Sequence, residues 1–331
     1  MAPAPASGYP AEFVASLPKT ETHLHIEGAL PWRLLHRLDP RQFPHPPKSW
    51  DPDFRFRSFA HFEEELFAVA LPWFTSPERY YEAASEVFQD LAAQGVRYVE
   101  TSFASGVLEF LDVPGPETAE AIHRAAPPGM EVRVFMGIHH NGYTEKSRRF
   151  VEDCVNWDQL DGIDLHGDET IPLEDWSPRV YEQVRAAGKF VKAHAGELCG
   201  PDFVRRIIAE LGVTRIEHGV RSVEDPELLR ELQENGIVLD VCPTSNVKLG
   251  VAPSIAEHPL RRLHDAGVRC TVNTDDPISF GNTLTGEYIA LATEGGFSRA
   301  ELIQLARNGF EIAMVPEKQR AAWLTLFEEV R

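Results

Sequence analysis

Phe190-Val-Lys-Ala-His-Ala195 is followed by an amphipathic run over 201–211 that stops at Gly212, then by Thr214-Arg-Ile-Glu-His218, then by a second amphipathic run over 225–235 that stops at Gly236, and then by Ile237-Val-Leu-Asp-Val-Cys242. Short stretches rich in β-branched and apolar residues read as strands, and apolar positions three and four apart read as helices. A glycine just past a helical run supplies the left-handed residue that ends it. Strand, helix, strand, helix, strand is the signature of parallel strands joined by covering helices.

Working outward, the same pattern predicts strands over 20–25, 97–103, 131–138, 162–166, 190–195, 214–218, 237–242 and 269–274, with helices over 177–187, 201–211, 225–235 and 255–266. Eight such units predict the α/β class as a closed (β/α)8 TIM barrel. An open doubly wound sheet is the alternative, but no Gly-x-Gly-x-x-Gly turn follows any strand to support its dinucleotide-binding form. The 331 residues fit one barrel domain over 1–331. The aromatic-rich segment 31–77 is too long for a simple strand–helix connection and predicts a helical lid over the C-terminal face of the barrel. Runs over 299–308 and 316–330 predict a C-terminal helical segment packed outside, and the Ala- and Pro-rich residues 1–10 predict a flexible arm.

The formal charge of -19 argues against nucleic acid or an anionic membrane surface as partner. No stretch approaches the ~20 apolar residues that span a bilayer. Four cysteines without a C-x-x-C pair point to free thiols and a cytoplasmic setting rather than to a disulfide or thiolate-metal framework.

In a parallel barrel the strand C-termini share one face, where active sites lie. The first predicted strand ends in His23-Leu-His25, where residues two apart point to one side. The fifth ends in His194-Ala-Gly-Glu197, the sixth in Glu217-His218-Gly219 and the eighth in Asn273-Thr-Asp275-Asp276-Pro277. Singly, each has a bland reading: a solvated H-x-H, a satisfied core histidine, a turn with an N-cap. Together, His23, His25, His194 and Asp275 make a nitrogen-rich, thiolate-free set that suits one Zn²⁺, with Fe²⁺ or Co²⁺ also accommodated. His218 is placed to orient and deprotonate water, and Glu197, if burial raises its pKa, to give a proton to a ring nitrogen. Gly167 lets a ligand approach the backbone N–H. Glu217 alternates away from His218 and reads as structural, while His139, His140 and His166 read as loop or strand-end residues.

These stretches, with Gly162-Ile-Asp-Leu-His-Gly167-Asp-Glu and Cys242-Pro-Thr-Ser-Asn246, resemble in order the adenosine/adenine deaminase family of the amidohydrolase superfamily. The resemblance runs over nearly the whole chain. It implies one zinc on His23, His25, His194 and Asp275, with Glu197 protonating purine N1 and His218 assisting the attacking water. It also implies that Gly167 contacts N3 and Asp276 contacts N7, and that C6 loses ammonia to leave a 6-oxopurine. Where adenosine deaminases read Leu-Asp-Gly, with the Asp holding ribose, this chain has Ile26-Glu27-Gly28, so Glu27 is a candidate substrate-binding residue. The expected substrate is a small purine, adenosine or a related nucleoside first and free adenine as the alternative. A dinuclear amidohydrolase acting on an amide or ester is a more distant reading, weakened because 162–166 contains no lysine to bridge two metals. A cytidine-deaminase-type site is excluded because no P-C-x-x-C follows His25-Ile-Glu27.

Overall fold

The computed structural model describes residues 10–328 and 330. All of the predicted arm except Pro10 lies outside the described residues. Eight parallel strands follow one another around the sheet in chain order: β1 Lys19–His25, β2 Val96–Ala104, β3 Glu131–His139, β4 Gly162–His166, β5 Phe190–Ala195, β6 Arg215–His218, β7 Val238–Val241 and β8 Arg269–Val272. The sheet closes just beyond β8. Asp275 N–H donates to the His23 carbonyl at 3.1 Å, and His25 N–H donates to the Asp275 carbonyl at 3.2 Å. The fold is therefore the (β/α)8 barrel, and its seam runs through β1 and the segment after β8.

Two predicted boundaries shift for identifiable reasons. The last strand ends at Val272 rather than 274, because Asp275 adopts a left-handed backbone (φ 67°) that extended chain cannot continue through. The helix expected over 255–266 is confined to Leu260–Asp265, with Pro259 at its N-cap. Proline disfavours helix in the residue before it and donates no N–H. At the C-terminus, helices Arg299–Glu311 and Glu317–Leu324 pack outside as expected.

Within 31–77 lie helices Trp32–Leu38 and Phe59–Ala70 and a 3-10 turn, Lys48–Trp50. Ser58 caps the second helix by accepting the His61 N–H. Trp50 Nε1 donates to the Ile278 carbonyl at 2.7 Å, and Lys248 Nζ donates to the Ser49 carbonyl at 2.8 Å. These bonds tie the segment to the short helices Pro243–Lys248 and Pro277–Phe280 that follow β7 and β8. No helix among the described residues is long and apolar enough to cross a membrane.

The barrel interior is ionic rather than purely apolar. Glu100 on β2 meets Lys192 on β5 at 3.3 Å and Arg215 on β6 at 3.2 Å, contacts between non-neighbouring strands that must cross the lumen. Arg215 also reaches Asp240 on β7 at 2.7 Å, and Lys192 reaches Glu217 at 2.6 Å. Tyr98 O–H donates to Glu100 at 2.9 Å. Burying such charges is costly, and removing one partner is worse than replacing the whole set. Arg215→Met, which takes the cation from Asp240 and leaves Glu100 with Lys192 alone, is expected to destabilise the fold by about 3–5 kcal/mol in urea unfolding; a loss under about 1 kcal/mol would show that these carboxylates are neutralised some other way.

Candidate active site

The C-terminal mouth of the barrel gathers His23, His25, His194 and Asp275, whose ligand atoms all lie within 4.8 Å of one another. The side-chain orientations follow from what holds the far nitrogen of each ring. His23 Nδ1 is 3.1 Å from the Asp240 carbonyl, and His25 Nδ1 is 2.8 Å from Ser102 Oγ. His194 Nδ1 is 3.1 Å from the Leu165 carbonyl, 3.2 Å from Asp164 Oδ1 and 3.0 Å from Glu217 Oε2. Each ring therefore turns Nε2 inward.

The inward atoms crowd together. His25 Nε2 is 3.3 Å from His194 Nε2, and Asp275 Oδ1 is 3.4 Å from His23 Nε2 and 3.3 Å from His25 Nε2. His23 Nε2 is buried and has no hydrogen-bond partner. A tetrahedral cation with bonds of about 2.05 Å has ligands about 3.3 Å apart. The donor set and its spacing thus fit a single zinc-sized ion. Ser245 Oγ donates to the other Asp275 oxygen at 2.7 Å, which leaves Oδ1 for the centre.

Glu197 and His218 share one partner. Leu260 N–H donates to His258 Nδ1, so His258 donates from Nε2 to Asn246 Oδ1. The Asn246 amide nitrogen is then a donor, to Glu197 Oε1 at 3.0 Å and to His218 Nδ1 at 3.2 Å. Neutral His218 is left with its proton on Nε2, 3.5 Å from Glu197 Oε2 and 3.8 Å from Asp275 Oδ2. Burial, with His23 nearby, holds the His218 pKa well below the usual histidine range. Burial, reinforced by Asp275 and Glu169, pushes Glu197 up to about 8. The turn that carries Glu197 is shaped by the Glu169 carboxylate, which accepts the N–H groups of Glu197, Leu198 and Cys199.

The remaining expected residues line the same pocket: Glu27, Gly167 and Asp276. Gly167 has φ 89°, and a Cβ there would sit 2.9 Å from His139 Nδ1, so glycine is required on both counts. Asp276 packs against Gly28, where a Cβ would fall 1.6 Å from its Oδ1. That Oδ1 is buried without a partner, and burial next to Asp275 raises its carboxyl well above the usual range. Glu27 Oε1 accepts from Tyr80 O–H at 2.7 Å and from Ala104 N–H at 3.0 Å.

Glu217 is a correction. Strand alternation assigned His218 to the pocket and Glu217 away from it, yet Glu217 points inward and touches His194. The reason is the left-handed backbone of His218 (φ 64°), which breaks the alternation and swings its ring to the same side. His139 and His166 also line the pocket, whereas His140 stacks on Phe203 instead. Ser245 and Asn246 lay in a polar run directly after a predicted strand, a usable signal, while nothing local marked His258.

The adenosine deaminase family model matches residues 18–330. The chain belongs to the adenosine deaminase family. It is 36% identical to an adenine deaminase of Sinorhizobium medicae, over 92% of this chain and 97% of the relative. Among solved structures, the adenine deaminase of Arthrobacter aurescens superposes with a TM-score of 0.84 at 25% identity, covering 95% of this chain and 98% of that one. An amidohydrolase of Burkholderia ambifaria with bound zinc gives 0.81 at 26% identity, covering 99% and 94%. Family membership makes the chain a hydrolytic deaminase of the amidohydrolase superfamily.

The contact between Glu217 and His194 gives a metal-binding prediction. Glu217→Gln is expected to weaken zinc affinity about 10–100-fold in chelator competition. His194→Ala should lose the zinc outright. Full zinc retention by His194→Ala, measured by elemental analysis, would contradict the assignment of this residue.

Proposed function

We propose that this chain is a mononuclear zinc aminohydrolase that converts adenine and water to hypoxanthine and ammonia. The free base thereby moves ahead of adenosine, which the sequence reading placed first. Relatives named adenine deaminase over almost their full length support this order. The observation that carries it is at Glu27. In the family resemblance this position holds ribose through a carboxylate, but here one carboxyl oxygen is engaged by Tyr80 and Ala104. The side chain ties the turn after β1 to Ala104 on β2 and to Tyr80 on the helix Pro77–Ala93, which fixes the carboxyl group through one of its oxygens.

His23, His25, His194 and Asp275 would hold the ion, and zinc in such a site supplies a Lewis acid that activates water near neutral pH. The protein groups do the rest. Glu197, kept protonated by burial, delivers a proton to purine N1, which makes C6 more electrophilic. Asn246 fixes both Glu197 and His218. In this tautomer His218 presents an Nε2–H and, instead of deprotonating water as expected from the sequence, would donate to the reacting oxygen and stabilise charge as it develops there; of the two protons the water gives up, one would go to the amino group, which leaves as ammonia, and the other would restore Glu197. The Gly167 N–H faces N3, and protonated Asp276 donates to N7.

Two outcomes test this. On zinc-loaded protein, kcat/KM for adenine should exceed that for adenosine by about 100-fold or more; the reverse preference refutes the free-base reading. Because Glu197 must carry its proton, kcat/KM for adenine should fall as pH rises towards about 8, the bound cation drawing the midpoint below the metal-free value. Glu197→Gln should cost about 10²–10⁴-fold in kcat and remove the alkaline limb.

A further inference from the structure

The helix Phe59–Ala70 covers the pocket with a stripe made of Phe59, Phe62, Glu63, Leu66 and Phe67. Four of these are apolar and one is a carboxylate. Among the described residues the Glu63 carboxyl group makes no hydrogen bond; it lies 3.8 Å from His139 Nδ1. His139 in turn packs edge-on against His166, with ring centroids 4.6 Å apart. His166 Nε2 is buried without a partner in the pocket wall, the residue being only 8% exposed. Its ring is held in place by the bare Gly137, where a Cβ would lie 2.5 Å from the imidazole. One wall of the pocket thus carries a partly exposed carboxyl group, Glu63 (26% exposed), and a buried, unpartnered ring nitrogen, among apolar neighbours. A ligand that displaces water from this wall must give the carboxyl group a hydrogen-bond partner in its place.

We propose that Glu63 is a specificity-determining residue whose carboxyl group accepts the N9–H of the bound purine. The inference rests on the adenine reading above. In that pose C6 faces the histidine cluster at the barrel floor. N9 lies on the opposite side of the bicycle, so its N–H points up towards the covering helix. Free adenine has this donor, and a 9-substituted purine lacks it. Glu27 also lines the pocket, but its Oε1 is already committed. Of the three glutamates on the covering helix, Glu63 is the one that lines the pocket, and its carboxyl group has no such commitment among the described residues. A site built to receive a substrate N–H rejects an analogue without one, because its own polar group is then left unpaired.

The test uses the zinc-loaded full chain, with adenine as substrate and 9-methyladenine as competitive inhibitor. Glu63→Leu keeps the helix and the apolar stripe but removes the acceptor. It is expected to lower kcat/KM for adenine about 10–100-fold, while the inhibition constant of 9-methyladenine stays unchanged or tightens. Glu63→Gln retains an acceptor oxygen and should fall between Glu63→Leu and the parent. A parallel loss for both ligands, or no loss for adenine, overturns the proposal. The 9-methyladenine constant serves as the control for an intact pocket. A parent enzyme inert on adenine overturns the adenine reading and this inference with it, whereas an active parent with an unchanged ratio overturns the inference alone.

Discussion

The two backbone hydrogen bonds between Asp275 and the His23–His25 pair carry the rest of the structure. They close the barrel, and the same residues present the proposed metal ligands. Strand pairing fixes Cα positions tightly, because a slip of one residue would turn every side chain to the other face. Ligand geometry at the seam is therefore set by sheet closure rather than by loop conformation. Asp275 can occupy this position only with a left-handed backbone, a strained state for a non-glycine residue. That strain is maintained by hydrogen bonds on both sides and by Ser245 on its carboxylate.

Beneath the cluster, the ionic interior connects the ligands to the barrel wall. Glu217 links His194 to Lys192, Lys192 links to Glu100, and Glu100 links through Arg215 to Asp240. Asp240 returns through its carbonyl to His23. Two of the three imidazoles are thus anchored to one network. Burial alone would keep Glu217 protonated, but the Lys192 ammonium holds its carboxyl well below the usual range. Asp164, against the same imidazole, is pushed the other way to about 7 by burial and by Glu217. An ionised carboxylate behind a ligand imidazole raises its basicity and fixes its tautomer. An apolar interior would be easier to bury, but it would remove the carboxylates of Glu217 and Asp164 from behind the His194 ring.

The fold was legible because alternation of short apolar runs with amphipathic ones is a local signal, and eight repeats leave few architectures. Most strand boundaries moved by a residue or two, and at Pro259 and Asp275 a single residue accounts for the shift. The cluster was legible for a related reason: strand ends converge, so polar residues at those ends could be grouped before any contact was known. Glu217 was misplaced because strand alternation presumes an extended backbone, and His218 departs from it. Ser245, Asn246 and His258 act through side-chain hydrogen bonds across separate loops, which periodicity does not encode. Glu63 needed the covering helix in position before one charged residue in an apolar stripe acquired meaning.

If seam closure builds a four-donor centre for one ion, that ion is held by nitrogen and oxygen alone. X-ray absorption at the zinc edge, with elemental analysis on the same reconstituted sample, tests it most directly. One zinc per chain, coordinated only by nitrogen and oxygen at about 2.0–2.2 Å with an imidazole signature, is the predicted result. Two ions per chain, or a sulfur scatterer near 2.3 Å, would contradict it.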